Sequence, residues 1–589
     1  RNLMVAENMI AQSGYILATD YLQHGLDLLH RQQGNNNNNT MWDPSSPSYS
    51  IALQLSVSMA RMSFICHDYV RCKHMIDEVI QNTHSFDDKF DVYCIHVRSL
   101  GAQGRIDEAC DVGLKVLSVL GAAANGGGRG GARAILRVAS KAAANPKSIR
   151  SSWASLDANV RNRVVLHDTN RLRTIQLLRI LAVICQVHHV EDDDMLYHVQ
   201  SHAVKVSAKH GISPLSAFGA ASIGMILAKA GHYEDGHRFG TTALEISKTF
   251  HSVQWDCMAV ATTHALVHHW SASNHNHNMS LTLFKAYQAA LDQDDLQSAF
   301  YCASAYCDIS FLHSGLPLTT LLEETRRMCN VVKHYSHEQD PILLNMTPLL
   351  QMMLNLTGHG SCSHHDADPT QLGGEAMDRH MFLTACRHLH ADEAILRVEF
   401  FTMQLAYMFG DIANGYELSL KLRDVTGMQA WNVMNLFYCA LLEMEMFRQT
   451  GQSRHQKEAR KLVKRFSKWI ANNTTAAAAG NNHNNTSNNG SNNASHYDHL
   501  TLLLEAELGA IKKGSKGVAK AFDKAIAASA HVLCNQALAN ERAAAYFLES
   551  GDTPSACEYM TQARGLYTKW GAYAKVDQVK EKYKFLFYD

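Results

Sequence analysis

The stretch Ala563 to Val576 reads ARGLYTKWGAYAKV, and Gly571 followed four residues later by Lys575 is a combination that could hold a phosphate. A phosphate-binding loop needs glycines whose backbone amides aim at the anion, and Gly-Lys-Ser/Thr opening a helix after a strand. Here a helical pattern precedes Gly571, and no Ser or Thr stands beside Lys575. The stretch therefore reads as a helix–helix joint, with Trp570 and Tyr567 packing over it. GSKG at 514–517 lacks the Walker spacing, and GGGRGG at 126–131 lacks both the lysine and a preceding strand. No kinase loop, nucleophile elbow or zincin motif is present, so the sequence offers no catalytic constellation.

Histidine is abundant, 34 in all. Cys362, His364, His365, Asp366 and Asp368 bring metal-ligand chemistry together, but in a glycine-rich insertion that fixes no coordination geometry. His275 and His277, in NHNHN, belong to the same class of loop. His188–His189 and His268–His269 end helical patterns, where the macrodipole favours imidazoles. The expectation is no metal site and no cofactor. Lys457, Lys461, Lys464, Arg465 and Lys468 form a basic stripe opposite Ala459, Leu462, Val463, Phe466 and Ile470. Such a helix suits a membrane surface or an acidic partner, although a solvated outer face is the commoner use of the pattern. Trp255, Trp270 and Trp431 read as core.

The elements that position these residues are helices. Apolar residues recur at three- and four-residue spacing over Ile51–Cys66, Val199–His210, Leu215–Ala230, Leu296–Leu312, Leu396–Phe409 and Ala537–Leu548, and no strand pattern is convincing. The 589 residues carry 54 basic and 55 acidic side chains. That balance argues against a general nucleic-acid or anionic-membrane binder. Fourteen scattered cysteines fit a reducing cytosol, and the longest apolar run, LLRILAVIC at 177–185, is far too short to span a membrane.

A repeat emerges when glycines are aligned. Gly104, Gly231, Gly410, Gly514 and Gly551 each end an apolar helix pattern. Five residues later stands Ala109, Gly236, Gly415, Ala519 or Ala556. A glycine at the helix end takes the left-handed cap, and the small residue lets the next helix approach closely. This is the hairpin of tetratricopeptide-like arrays. The reading is an all-α, tetratricopeptide-like superhelix with low-complexity insertions. Its expected parts are N-terminal hairpins over 1–120, a Gly/Ala-rich insertion and linker helices over 121–166, and a central array over 167–356. A disordered insertion over 357–374, hairpins over 375–471, an Asn-rich disordered linker over 472–495 and C-terminal hairpins over 496–589 follow. Residues 34–47 read as another low-complexity loop.

Several stretches also resemble a known family, the tetratricopeptide-like helical region of large multidomain signalling ATPases. They are YLQHGLDLL (21–29), DKFDVYCIHVRSLGAQGRIDEACDVGLKVLSVLG (88–121), LHDTNRLRTIQLL (166–178), KHGISPLSAFGAASIGMILA (209–228), GHYEDGHRFGTTALEI (231–246), AYQAALDQDDLQSAFYCASAYCDISFLHSGLPL (286–318) and ALANERAAAYFLESGDTPSACEYMTQARGLYTKWGAYAKV (537–576). The resemblance implies a cytoplasmic regulatory segment, a piece of a longer protein. It would lie between a kinase-like and AAA-type NTPase portion and an output domain such as a GAF–histidine kinase. The family's catalytic residues fall outside these stretches. The implied partners are proteins: the flanking domains and a peptide or protein on the concave face, with no nucleic acid and no membrane span. Alternatives are a stand-alone scaffold that recruits proteins and, further off, a metal-dependent enzyme using the histidine-rich insertion.

Overall fold

Short acidic and hydroxyl residues set where the helices begin. The side chains of Asp68, Ser85, Asp340, Asp378, Asp411 and Asp552 each accept a hydrogen bond from a backbone amide in the first turn of the helix that follows, satisfying donors that have no intrahelical partner. The computed structural model describes all residues except 12–14, 35–40, 122–145, 188–192, 251–252, 270–278, 294, 314, 337–339, 361–367, 426, 482–494, 513–515 and 588–589. The fold is all-α, built of antiparallel helix–turn–helix hairpins. Among the described residues the β-structure is limited to isolated bridge positions: Val165 pairs in parallel with Ile212, and Ser495 is a further bridge residue.

Residues Arg1–Ala220 with Lys248–Phe250 form one compact unit. In it Asn2–Ala11 packs on Tyr15–Gly34, Tyr49–Ile65 on Tyr69–Asn82, Phe86–Ala102 on Ile106–Val119, and Thr169–Val187 on Asp193–His210. Glycines let the Thr169–Val187 helix sit close: a Cβ at Gly101 would meet Ile184 at 2.7 Å, and one at Gly113 would meet Leu181 at 2.9 Å. At the bridge, Gly211 has φ +107° and its Cβ would lie 2.8 Å from the Val164 carbonyl oxygen. Only glycine fits there without strain.

Residues Ala221–Ser247 with His251–Asp589 form the second unit. Its helices are of two kinds. Leu296–His313, Asp392–Phe409 and the first two-thirds of Ala430–Thr450 are buried on almost every face, and Pro341–Thr357 is buried throughout after Pro341. Leu318–Tyr335, Ile412–Leu422 and Val518–Ala528 bury one stripe only. A helix apolar all round must be covered all round, and the cover comes from a closure that a strictly neighbour-to-neighbour array lacks. The last α-helix, Tyr573–Lys582, packs back on Pro341–Thr357 and Asp392–Phe409, and Leu296–His313 touches Ala430–Thr450. The interior so enclosed is filled by Phe311, Tyr438, Tyr567 and Trp570, with room for roughly one water molecule.

Gly104, Gly231, Gly410, Gly551 and Gly571 have φ between +71° and +95° at the turns between helices. Ala109 and Ala556 are fully buried. A Cβ at Gly236 would meet the Gly224 carbonyl oxygen at 2.7 Å, and one at Gly415 would meet Leu442 at 3.0 Å. Gly514 lies outside the described residues, while Ala519, in the Val518–Ala528 helix, is half-buried.

Three expected loops are corrected in part. Within 34–47, Met41 and Trp42 are buried. Within 357–374, residues 361–367 lie outside the described residues, but the rest is not disordered. The Gln351 amide donates to Gly360 and Gly373 carbonyls at 3.1 and 3.3 Å, and Asn355 donates to those of Pro369 and Gln371 at 3.1 and 2.7 Å. Two buried amide side chains thus hold a polar segment that composition alone reads as loose. Within 472–495, the helix beginning at Ser453 continues to Asn481 and buries Asn473 and Thr474.

Candidate functional site

Two groups of buried titratable side chains stand out in the second unit. The first is a knot of imidazoles where helix ends converge. His269 follows the π-helical turn Thr263–His268, His313 ends the Leu296–His313 helix, and Tyr497 precedes Asp498–Ala510. His269 Nε2 faces the Met428 carbonyl oxygen at 2.8 Å, so that nitrogen carries the hydrogen and Nδ1 is bare. The Tyr497 hydroxyl donates to His269 Nδ1 at 2.7 Å, which leaves its oxygen to accept from His313 Nε2 at 2.9 Å. One oriented chain of three hydrogen bonds results. The His496 ring meets His313 edge to face at 4.4 Å between centroids, and His531 lies 5.2 Å from His496 and 5.0 Å from His499. Asn535 Nδ2 donates to His499 Nε2 at 2.8 Å.

Burial dominates the electrostatics of this knot. It pushes the His269 imidazole down to about 4, with the Met428 carbonyl partly opposing. It drives His313 and His499 well below the ordinary histidine range, and the neighbouring imidazoles push the same way. His269, His313 and His499 are neutral at physiological pH. His268 ends the Thr263–His268 turn and His269 follows it, a buried hydrogen-bonding residue at a helix end. His188 and His189 lie outside the described residues.

The second group is a set of buried ion pairs. The ammonium of Lys575 faces three acceptors: Glu541 Oε1 at 2.8 Å, Gln578 Oε1 at 3.0 Å and the Met408 carbonyl. All three ammonium protons are used, which marks the charged form. The Tyr567 hydroxyl donates to the other Glu541 oxygen at 2.8 Å. Burial would raise the Glu541 carboxyl, but Lys575 and Tyr567 outweigh it and hold the group below its ordinary value. Nearby, the fully buried Glu507 accepts from Arg448 and, at 2.8 Å, from Arg542 Nε. Burial again opposes the charge, and the two guanidiniums win, holding the carboxyl down to about 2. Glu443 takes His455 at 2.7 Å and Arg423 at 3.0 Å, and Asp308 takes Arg397 at 2.8 Å.

Chemically this arrangement fixes helix positions. Each pair joins different helices, and an ion buried without its partner is strongly unfavourable, so the helices stay in register. Gly571 caps the Thr553–Trp570 helix against Leu318 and Thr319, and Trp570 lies 6.1 Å from Phe311. The opening stretch is a helix joint, and its lysine serves as an internal brace.

Of the candidate metal ligands, Cys362, His364, His365 and Asp366 lie outside the described residues, as do His275 and His277. Asp368 accepts from the amide and hydroxyl of Thr370. Among the described residues no group of three or more His, Cys, Asp or Glu has the geometry to hold a metal ion, and no helix is long and apolar enough to cross a membrane. Trp431 is buried and donates to Glu393 at 2.9 Å. The apolar stripe Ala459, Leu462, Val463, Phe466 and Ile470 is buried, and Lys457, Lys461, Lys464, Arg465 and Lys468 are exposed. Trp270 lies outside the described residues, and the side chain of Trp255 is not described.

Sequence reasoning missed Glu507, Arg542, Glu541, His313 and Tyr497, and it weighed Lys575 only as a phosphate ligand. A signal existed for the acids: Glu507 sits in LTLLLEAELGA and the Glu541–Arg542 pair in ALANERAAAY, charges placed where the helical pattern is otherwise apolar or small.

No protein-family model matches the chain, and no curated protein matches it. Among solved structures, the chain is similar to a "Circular tandem repeat protein with novel repeat topology and enhanced subunit contact surfaces". That match has 11% identity, covers 91% of this chain and 94% of that one, and has a TM-score of 0.13.

Proposed function

We propose that this chain is the helical-repeat, protein-interaction segment of a cytoplasmic signal-transduction ATPase, coupling an NTPase switch to an output domain. Helical-repeat architecture suits a protein-interaction scaffold, because stacked hairpins present extended surfaces. The finer reading rests on the collinear stretches that resemble the signalling-ATPase helical region. The observation that supports it is the closure of the second unit. Tyr573–Lys582 is braced through Lys575 to Glu541 and to the Met408 carbonyl. A displacement of that helix therefore bears directly on the inner helices. In this reading the segment supplies no catalytic group. It transmits position.

The test is the coding sequence on both sides of the segment. A Walker A motif upstream with a kinase or cyclase signature downstream is the expected result. Start and stop codons close to Arg1 and Asp589 would overturn it in favour of a stand-alone scaffold.

A further inference from the structure

We propose that the outward face of the Ser453–Asn481 helix is a docking stripe for an acidic protein segment. The proposal deepens the interaction-scaffold reading and rests on it.

Lys457, Arg460, Lys464 and Lys468 are exposed on this helix. Their three- and four-residue spacing places them in one line, about 16 Å long at 1.5 Å per residue. None of the four pairs with a described acidic residue. Lys461 and Arg465 flank the line. The one acid among them, Glu458, is already 2.9 Å from Lys461 and 3.9 Å from Arg423. Like charges at four-residue spacing destabilise a helix, so this face carries a penalty that mixed charges avoid. The Leu318–Tyr335 helix shows the ordinary arrangement, with Glu323 3.7 Å from Arg327. In a chain of net charge -1, an unneutralised basic line is a local device.

The partner's chemistry follows by comparing what each class needs. A membrane-surface helix buries an apolar face in lipid, but here Ala459, Leu462, Val463, Phe466 and Ile470 are committed to the core. None of the exposed large hydrophobic residues lies on this helix. A nucleic-acid groove combines a long cationic track with aromatic stacking. Even with the exposed Arg454 three residues before Lys457, this line covers only about four helical turns, and the adjacent Trp469 is half-buried. Carboxylates spaced along one peptide segment match a short single line of ammonium and guanidinium groups.

The test uses the full chain and a fluorescently labelled oligo-glutamate peptide, read by anisotropy at low salt. Binding is expected to weaken steeply as salt rises. The variant Lys457→Glu/Arg460→Glu/Lys464→Glu/Lys468→Glu should lose about tenfold or more in affinity, the order expected for removing several charge contacts. The control Arg327→Glu/Lys333→Glu, on another helix, should bind as the unmodified chain does. Far-ultraviolet dichroism confirms that both variants fold. No binding, equal binding by the fourfold variant, or tighter binding to phosphatidylserine vesicles or a single-stranded oligonucleotide would each overturn the proposal. The proposed signalling role would survive that failure, since it is decided by the flanking coding sequence.

Discussion

The Lys575 ammonium lies 2.8 Å from the Glu541 carboxylate, and both residues are buried. The pair joins the last α-helix to one that begins at Leu533. Removing one partner leaves the other charge stranded. Lys575→Met should therefore destabilise the second unit by about 3–5 kcal/mol. Lys575→Met with Glu541→Gln should lose clearly less than the sum of the two single changes. Urea unfolding of all four proteins measures this, and a Lys575→Met variant within about 1 kcal/mol of the parent, a surface-pair magnitude, would contradict it.

Acid should weaken the histidine knot in a window of its own. His269, His313 and His499 have folded pKa values below their unfolded values near 6.5. Below pH 6.5 the unfolded chain then binds protons that the folded chain refuses. Stability therefore falls as pH drops, and each such histidine contributes about 1.4 kcal/mol per pH unit until its folded pKa is reached. Glu507 loses stability in the same direction but at lower pH. Its folded pKa is depressed to about 2, so the stability it contributes is present above about 4.5 and is lost only as pH falls below that. Unfolding curves at pH 7.5, 6.5, 5.5 and 5.0 isolate the imidazoles. A stability independent of pH over that range would rule out the neutral state of His269, His313 and His499.

Gln351 should act as a clamp on the segment that follows its helix. Its oxygen accepts from the Ala376 and Met377 amides at 2.9 and 3.3 Å, and its nitrogen holds two carbonyls of the same segment. Gln351→Ala should cost about 1–3 kcal/mol. It should also speed hydrogen exchange at Ala376 by roughly tenfold or more, the factor that 1.4 kcal/mol represents. Unchanged exchange there would show that the segment is held by something else.

Gly211→Ala should strain the first unit. The new Cβ would sit 2.8 Å from the Val164 oxygen at a φ of +107°. The expected loss is about 1–3 kcal/mol. Thermal unfolding reads it, and a melting temperature equal to the parent's would exclude the strain.

The hairpins were legible because their signal is local. Gly551 and Ala556 lie within one turn-and-start of each other, so cap chemistry and close packing leave a pattern along the chain. The basic and apolar stripes of residues 457–470 were legible for the same reason: helical periodicity sorts residues by face. The knot and the ion pairs were not. His269 and Tyr497 are separated by 228 positions, and Lys575 and Met408 by 167. No short-range periodicity encodes such meetings. Composition misled at 368–374, where the anchors are Gln351 and Asn355 on the preceding helix rather than residues of the segment itself.

The return of Tyr573–Lys582 onto Pro341–Thr357 also sets the order of events on the ribosome. The covering helix is made about 230 residues after the helix it covers. At roughly 5–20 residues per second, that interval is on the order of 10–50 seconds. Throughout it the nascent chain carries an inner helix, rich in Leu and Met, with one side still bare. Synthesis of the second unit thus has a built-in waiting period, and the helix that ends it carries its own charged latch.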